Sequence, residues 1–234
     1  MLTIANRLKS ALDSIQDFAQ NAKRHPSEIR LLAVSKTKPN DAIKEAWKAG
    51  QRMFGENYVQ EGIQKVQSLS ELSDIEWHFI GPLQSNKTKQ VAEHFDWVQS
   101  IEREKIAERL SQQRPEAKAP LQVCIQVNIS DEENKSGVAP NAVFALAETI
   151  HALPNLTLRG LMAIPANTES KAEQKQAFQA MHDLYKRLQA TYPQVDTLSI
   201  GMSGDMQSAI ECGSTMVRVG TAIFGPREAN SARQ

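Results

Sequence analysis

Short apolar runs alternate along the chain with longer segments in which apolar residues recur every three or four positions. The run at 30–37 is uninterrupted from Leu31 to Val34, which is typical of a strand buried on both faces of a parallel sheet. Further runs predict strands at 53–55, 77–81, 97–101, 121–128, 158–164, 197–200 and 216–219. Helical spacing predicts helices at 40–49, 56–69, 85–94, 103–112, 140–152, 172–190 and 203–211.

This alternation of strands and helices determines the expected fold class. Strands separated by helices lie parallel and are joined by right-handed crossovers. Eight such units predict an α/β fold, a single closed (β/α)8 barrel of the TIM type, and an open doubly wound sheet is the alternative. No low-complexity linker or repeat divides the chain, so 1–234 is expected to form one domain. An amphipathic helix precedes the barrel, with an apolar face formed by Ile4, Leu8, Leu12, Ile15, Phe18 and Ala22.

Composition narrows the choice of partners and location. The 234 residues include 27 basic and 27 acidic ones, so the chain has no positive footprint for a nucleic acid or an anionic membrane surface. The two cysteines have neither metal-ligand nor disulfide spacing. No apolar run has the length of a membrane span or the character of a signal-peptide core. These features predict a cytoplasmic monomer that binds neither nucleic acid nor membrane.

Lys36 stands at the end of the first apolar run, and Pro39 prevents that strand from continuing. In a barrel of this type, the loops after the strands form the active site. A partly desolvated lysine amine there has a lowered pKa and can attack a carbonyl carbon. The ordinary alternative is a lysine that extends its ammonium group into water. Lys38 would share a face with Lys36 if the strand continued, so one amine would be neutral or Lys38 would lie beyond the strand.

Two turns near the end of the chain have the pattern of anion-binding sites. Ser203 follows the seventh predicted strand, and Gly220 with Thr221 follows the eighth. Backbone N–H groups exposed where a helix or turn begins bind phosphate without a cationic side chain. Barrels often place a phosphate site after these two strands. Each turn on its own is better explained as a structural turn, and it is the pairing of the two that supports a phosphate site.

Arg218 ends the last predicted strand, where an inward-facing guanidinium needs hydrogen-bond acceptors. A salt bridge to a neighbouring carboxylate is the alternative reading of this residue. A lysine after strand one, phosphate turns after strands seven and eight, and an arginine between them fit pyridoxal 5′-phosphate (PLP). The aldehyde, phosphate and ring nitrogen of PLP need these three partners. Strands one and eight are neighbours in a closed barrel, so the three groups can reach one ligand.

Six stretches of the chain resemble the PLP homeostasis protein family (YggS/PROSC). They are AVSKTKP at 33–39, FGENYVQE at 54–61, WHFIGPLQSNK at 77–87, GLMAIP at 160–165, GMS at 201–203, and the segment at 213–225. The resemblance runs from about residue 28 to residue 225. It implies a fold-type III PLP barrel, like the N-terminal domain of alanine racemase, in which Lys36 carries PLP as a covalent aldimine.

The resemblance also implies roles for the remaining site residues. Arg218 would face the pyridine nitrogen and leave it unprotonated, which weakens the ring as an electron sink and suits a carrier. The phosphate would be held by Ser203 and the backbone of Gly220 and Thr221, and the ring would be lined by Asn57, His78 and Met202.

One difference from alanine racemase bears on catalysis. That enzyme takes its second acid/base from a tyrosine of the partner subunit's C-terminal β-domain. This chain ends at Gln234, a few residues past the predicted barrel, so we expect no such domain. Tyr58 is the remaining candidate, although its place in an apolar stripe favours packing in the core.

We therefore expect a non-catalytic protein that holds PLP reversibly on Lys36. It would take part in intracellular vitamin B6 homeostasis and pass PLP to PLP-dependent apoenzymes, with indirect effects on amino-acid metabolism. A small PLP-dependent amino-acid racemase that uses Lys36 as its single base is the alternative, and a regulator that senses PLP is a third. Lys135, in the polar loop at 129–137, is either a solvated lysine or a positive charge at the barrel mouth. Lys38 is a candidate secondary acceptor.

Overall fold

The computed structural model describes residues 2–226 and shows a closed barrel of eight parallel strands. The strands follow one another around the barrel in chain order, and the last pairs with the first. The strands are β1 (Arg30–Val34), β2 (Met53–Glu56), β3 (Glu76–Phe79), β4 (Trp97–Ile101), β5 (Leu121–Gln126), β6 (Leu156–Met162), β7 (Thr197–Met202) and β8 (Met216–Val219). The predicted barrel is therefore confirmed, and the open-sheet alternative is wrong.

Helices connect the strands and surround the barrel. They are α1 (Ile4–Asn21), α2 (Asn40–Lys48), α3 (Val59–Ser68), α4 (Thr88–His94), α5 (Glu104–Gln113), α6 (Val143–Ala152), α7 (Lys171–Thr191), α8 (Met206–Glu211) and α9 (Thr221–Phe224). Most bounds lie within three residues of the sequence prediction. The first strand is shorter than predicted because the backbone turns after Val34, and Thr37 adopts a left-handed conformation with φ of 64°. In the described part of the chain, no helix has the length and apolarity to cross a membrane.

The N-terminal helix α1 packs outside the barrel against α2, α8 and α9. Its buried face consists of Leu8, Ala11, Ile15 and Ala19. The sequence prediction placed Leu12 on this face, but Leu12 is 46% exposed. With 3.6 residues per turn, the stripe from Leu8 to Ala19 runs through Ala11 instead, and Leu12 lies beside it. The prediction for Leu12 is therefore wrong.

Both cysteines are free thiols in buried positions. Cys124 lies on β5 in a small cluster with Trp97 and Met162. Burial raises the pKa of Cys124 to about 12, and it also raises the pKa of Cys212. Neither thiol is therefore ionised at neutral pH. The described residues contain no group of His, Cys, Asp and Glu side chains that could hold a metal ion.

A buried ion pair holds the chain where it leaves β1. The ammonium group of Lys65, on α3, donates to the main-chain oxygen of Ser35 at 2.7 Å and to Oε1 of Glu56 at 2.7 Å. It also donates to Oε1 of Glu61 at 2.6 Å. Lys65 is 5% exposed and Glu56 is fully buried. Burial raises the pKa of Glu56, and the charge of Lys65 opposes that shift.

Glu56 and Glu61 also bind the chain on the two sides of Lys36. Glu61 Oε1 accepts a hydrogen bond from the backbone N–H of Thr37 at 2.5 Å. The hydroxyl of Ser35 donates to Glu56 Oε1 at 2.7 Å. The residues before and after Lys36 are thus both bound to one ionic cluster. That cluster sets the course of the backbone from which the Lys36 side chain projects.

Replacing Lys65 tests how much this cluster stabilises the fold. We expect Lys65→Met to lower the free energy of unfolding by about 3–5 kcal/mol, because it leaves the buried Glu56 carboxylate without its cation. The pKa of Glu56 is raised in the fold, so the fold favours its protonated form. The destabilisation caused by Lys65→Met should therefore become smaller as the pH falls through the raised pKa of Glu56. Urea unfolding at a series of pH values measures both effects.

Lys89→Met is the matched control, because Lys89 is an exposed lysine whose ammonium group lies 3.9 Å from Glu93. Exposed pairs of this kind contribute at most about 1 kcal/mol. A loss in Lys65→Met no larger than that in Lys89→Met would contradict the assigned role of the buried cluster.

Candidate functional site

A cavity of about 340 Å³ opens at the carboxyl ends of the barrel strands. Its walls come from the ends of β1, β2, β7 and β8 and from the loops that follow β3 and β6. The lining residues are Val34, Lys36, Asn57, Ile80, Ile164, Met202, Ser203, Gly204, Arg218, Gly220 and Thr221. All the site residues predicted from the sequence are in this group except His78.

The pairing of β1 with β8 brings Lys36 and the second predicted phosphate turn together. Ala33 pairs with Val219, and each chain leaves its strand within a few residues of that pair. A Cβ atom placed on Gly220 would lie 3.2 Å from the main-chain oxygen of Val34. A side chain there would require the backbone of β1 to shift by a few tenths of an ångström. Lys36 and Thr221 therefore face one cavity, although they lie at opposite ends of the sequence.

The two predicted phosphate turns lie side by side in the wall. After β7 the chain turns through Ser203 and Gly204, and the Asp205 carboxylate accepts the N–H of Met202 at 2.6 Å. After β8, Thr221 begins α9. The first turn of a helix has N–H groups without intrahelical partners. The backbone N–H groups of Thr221 and Ala222 precede the first hydrogen bonds of α9, which Ile223 and Phe224 donate to Gly220. Together with the Ser203 hydroxyl, they are candidate donors to an anion in the cavity.

Arg218 carries a buried positive charge at the floor of the cavity. It is 4% exposed, and burial lowers its pKa to about 10, so it stays protonated at neutral pH. Its guanidinium donates to Ser199 O at 2.7 Å, Ser199 Oγ at 2.8 Å and Ala163 O at 2.9 Å. These acceptors are main-chain and hydroxyl oxygens, not the carboxylate of the alternative reading. Three hydrogen bonds leave two of the five guanidinium donors for other acceptors.

Asn57 supplies an acceptor that the protein itself does not satisfy. Its Oδ1 atom is buried and has no hydrogen-bond partner among the described residues. A buried acceptor without a partner costs about 1–3 kcal/mol. Gly81 fixes this residue, since a Cβ atom on Gly81 would lie 2.0 Å from the main-chain oxygen of Asn57. The cavity thus holds a rigidly placed acceptor that a ligand can satisfy.

His78 lies away from the cavity, inside the barrel. Its Nε2 atom is 2.7 Å from Glu76 Oε1, and its Nδ1 atom is 2.9 Å from Gln99 Nε2. Its ring stacks on Trp97 with 4.8 Å between centroids. Both ring nitrogens are thus bonded within the protein. Strand alternation explains the difference, because an inward side chain in mid-strand points into the interior below the mouth.

Two further lysines lie outside this cavity. The ammonium group of Lys38 donates to the main-chain oxygens of Gly225 at 3.1 Å and Pro226 at 2.8 Å. Lys135 forms an ion pair with Glu132. It lines an adjoining cavity of about 610 Å³, which shares Ile164, Met202 and Gly204 with the first.

Tyr58 corrects a sequence expectation. It was expected to pack in the core, but it is 50% exposed and precedes the first residue of α3. The helix begins three residues later than predicted, so Tyr58 is not part of the buried stripe. It directly follows Asn57, which lines the cavity.

Sequence reasoning missed the apolar part of the wall. Val34, Ile80 and Ile164 lie at or just after strand ends, and all three line the cavity. The rule that pointed to Lys36 would have found them had it been applied to apolar residues as well. The sequence analysis also missed the buried ion pair of Lys65. The only signal for it was the acidic residue Glu61, four positions earlier on the same helix.

Comparison with known proteins agrees with this geometry. The family model described as "Alanine racemase, N-terminal domain" matches residues 11–228. The chain is 58% identical over 230 residues to the "Pyridoxal phosphate homeostasis protein" of Pasteurella multocida, covering 97% of this chain and 99% of that protein. The protein of the same name from Escherichia coli K12 is 54% identical over 230 residues, covering 97% and 98%.

Solved structures show the same fold. PipY of Synechococcus elongatus PCC7942, solved with PLP bound, superposes with a TM-score of 0.81 at 38% identity, covering 95% of this chain and all of that one. Alanine racemase of Clostridium difficile 630 superposes with a TM-score of 0.68 at 13% identity, covering 94% of this chain and 57% of that one, and so shows the fold alone. Given the shared barrel and the near full-length identity, the chain belongs to the pyridoxal phosphate homeostasis protein family, whose barrel is that of the alanine racemase N-terminal domain.

Proposed function

We propose that this protein binds PLP in the 340 Å³ cavity, carries it as a Schiff base on Lys36 and releases it again, so that it contributes to PLP homeostasis. One observation carries the proposal. An amine, a buried guanidinium and the two turns at Ser203 and at Gly220 with Thr221 line one cavity of about 340 Å³. PLP has one group for each of these partners.

The residues present fit each part of PLP. Lys36 provides the primary amine for the aldehyde. Ser203, with the backbone at Gly220 and Thr221, provides donors for the phosphate. Asn57 Oδ1, buried without a partner, provides an acceptor for a hydroxyl donor on the ring. The apolar side chains of Ile80, Ile164 and Met202 would enclose the ring.

Arg218 supports a carrier over a catalyst. When bound, PLP supplies an electron sink whose strength depends on protonation of the pyridine nitrogen. A guanidinium at that nitrogen can only donate a hydrogen bond and keeps its own protons, since its pKa of about 10 is above neutral pH. The ring nitrogen would then stay unprotonated. Such a site binds the cofactor well and withdraws electrons weakly.

The relatives support the same conclusion. Proteins that are more than half identical over nearly the whole chain are named for PLP homeostasis, and PipY has been solved with PLP bound. We extend the proposal to the whole chain, 1–234, as one PLP-binding domain of a cytoplasmic monomer. PLP-dependent apoenzymes are its proposed recipients.

The amine of Lys36 gives the first test. After incubation with PLP, reduction with borohydride should attach the cofactor to the tryptic peptide that contains Lys36, and mass spectrometry locates it. Lys36→Ala should remove both this label and the visible absorbance of the Schiff base, with the thermal unfolding profile retained. Lys38→Ala is the matched control and should keep both signals, because Lys38 is bonded to Gly225 and Pro226 away from the cavity. Equal labelling of Lys36→Ala and the unmutated protein would refute the proposal.

Exchange of amino-acid α-protons distinguishes a carrier from a racemase. In deuterated water, the PLP-loaded protein should exchange less than one equivalent of α-proton from D- or L-alanine, as followed by proton NMR. Exchange over many equivalents would show an enzyme instead. In that case Tyr58→Phe would show whether Tyr58, which follows the cavity residue Asn57 in the chain, is the second acid/base.

A further inference from the structure

A chain of hydrogen bonds crosses the barrel interior from the cavity to the opposite end. It begins at Arg218, whose Nη1 atom donates to Ser199 Oγ at 2.8 Å. The Ser199 hydroxyl is 2.6 Å from Gln99 Oε1, and Gln99 Nε2 is 2.9 Å from His78 Nδ1. His78 Nε2 is 2.7 Å from Glu76 Oε1. We call these five residues the interior chain.

The two ends of the interior chain lie in different surroundings. Arg218 lines the cavity at the carboxyl ends of the strands. Glu76 is the first residue of β3, so it lies at the amino ends, and its side chain is 39% exposed. The three residues between them, Ser199, Gln99 and His78, have no exposed surface. The interior chain therefore connects the candidate site to solvent on the far side through fully buried groups.

The placed atoms and the chemistry of the two ends give the direction of each hydrogen bond. A guanidinium can only donate, so the Ser199 hydroxyl oxygen accepts from Arg218, and the Ser199 hydroxyl donates its own proton to Gln99 Oε1. Since the amide oxygen of Gln99 accepts, its NH₂ group is the partner of His78 Nδ1. An NH₂ group can only donate, so Nδ1 must be the unprotonated nitrogen. The proton of His78 is then on Nε2 and is donated to the Glu76 carboxylate, which can only accept.

Two further observations agree with a neutral His78 protonated on Nε2. Burial lowers its pKa, so the imidazolium form is disfavoured in spite of the neighbouring Glu76. On the faces of the Trp97 ring, the guanidinium carbon of Arg159 lies 4.6 Å and that of Arg30 5.4 Å from the ring centroid. The positive charge of Arg30 also lowers the pKa of His78 and so disfavours a second positive charge on its ring.

We propose that Gln99 and His78 are positioning residues for the cofactor site. Through Ser199 they hold Arg218 in one orientation, with its unused donors directed to the ligand, and they make His78 respond to occupancy of a cavity that it does not line. This inference rests on the proposed function, because the ligand that engages Arg218 is taken to be PLP. A purely space-filling role for the same residues would require no particular tautomer and no such response.

The tautomer of His78 can be measured without any ligand. In protein labelled with ¹⁵N, long-range proton–nitrogen correlation spectra distinguish a protonated Nε2 from a protonated Nδ1. We expect the pattern of a neutral ring protonated on Nε2. Gln99→Glu replaces the NH₂ donor with a second acceptor of the same size, so Nδ1 should gain a proton in that variant. A proton on Nδ1 in the unmutated protein, or an unchanged ring in Gln99→Glu, would overturn the proposal.

Addition of PLP tests the connection to the cavity. We expect PLP to shift the His78 ring nitrogen signals and inorganic phosphate to leave them in place, because the group proposed to engage Arg218 is the ring nitrogen of PLP, which phosphate lacks. In Gln99→Leu the shift should be lost, while in Ser100→Ala it should remain. Ser100 is the matched control, since it is the next residue on β4 and its hydroxyl is buried without a partner among the described residues.

The outcomes separate the two proposals. If PLP forms its Schiff base, seen by absorbance, and the His78 signals do not move, the role of the interior chain is wrong and the proposed function stands. The same holds if phosphate alone causes the whole shift. If no Schiff base forms, both the proposed function and the proposed response of His78 are wrong. Should Gln99→Leu fail to fold, Gln99→Glu provides the same test, because a carboxylate at that position breaks the donor sequence without changing the volume.

Discussion

The parallel pairing between β1 and β8 is the interaction on which the site depends. It joins the first strand to the last, from Arg30 with Met216 to Ala33 with Val219, and so closes the barrel. Without it the sheet would remain open, and its two edges would be its most distant parts. Lys36 follows one of these strands and Arg218 lies on the other. The close approach of Gly220 to Val34 shows how tightly this junction is packed.

Closure also creates an interior in which polar groups must bond to one another. Arg218 is a buried cation at the mouth of the barrel, and its hydrogen bonds must end on acceptors that the protein supplies. Main-chain oxygens take two of them, and the Ser199 hydroxyl takes a third. The buried donors of Ser199, Gln99 and His78 each need an acceptor in turn. The last of these acceptors is the partly exposed carboxylate of Glu76. The interior polar residues are thus explained by the cation at one end and the carboxylate at the other.

The fold and most of the cavity could be predicted from the sequence because both depend on periodicity and position. Strand and helix periods gave the eight repeating units, and the rule that loops after strands form the site pointed to Lys36 and Ser203. The direction of a side chain from mid-strand is harder to predict, since a shift of one residue reverses it. His78 falls in this class, and the resemblance to a family could not resolve its contacts.

Other errors have equally physical causes. Leu12 and Tyr58 are apolar or aromatic residues at the margin of a helical stripe, where burial depends on what packs opposite and on where the helix begins. The cluster around Lys65 and the interior chain join residues from different strands and helices. Such contacts exist only after the chain has closed, and no local pattern in the sequence records them.

The burial of both thiols has a consequence for the selectivity of the site. An aldehyde reacts with thiolates as readily as with amines, and a thiolate anywhere near the mouth would compete for it. Cys124 has a pKa of about 12 within the barrel, and Cys212, the residue that directly follows α8, is buried with a raised pKa. Oxidants and alkylating reagents act on the same ionised form. Neither thiol is in this form at neutral pH, so neither cysteine competes with a lysine amine for an aldehyde.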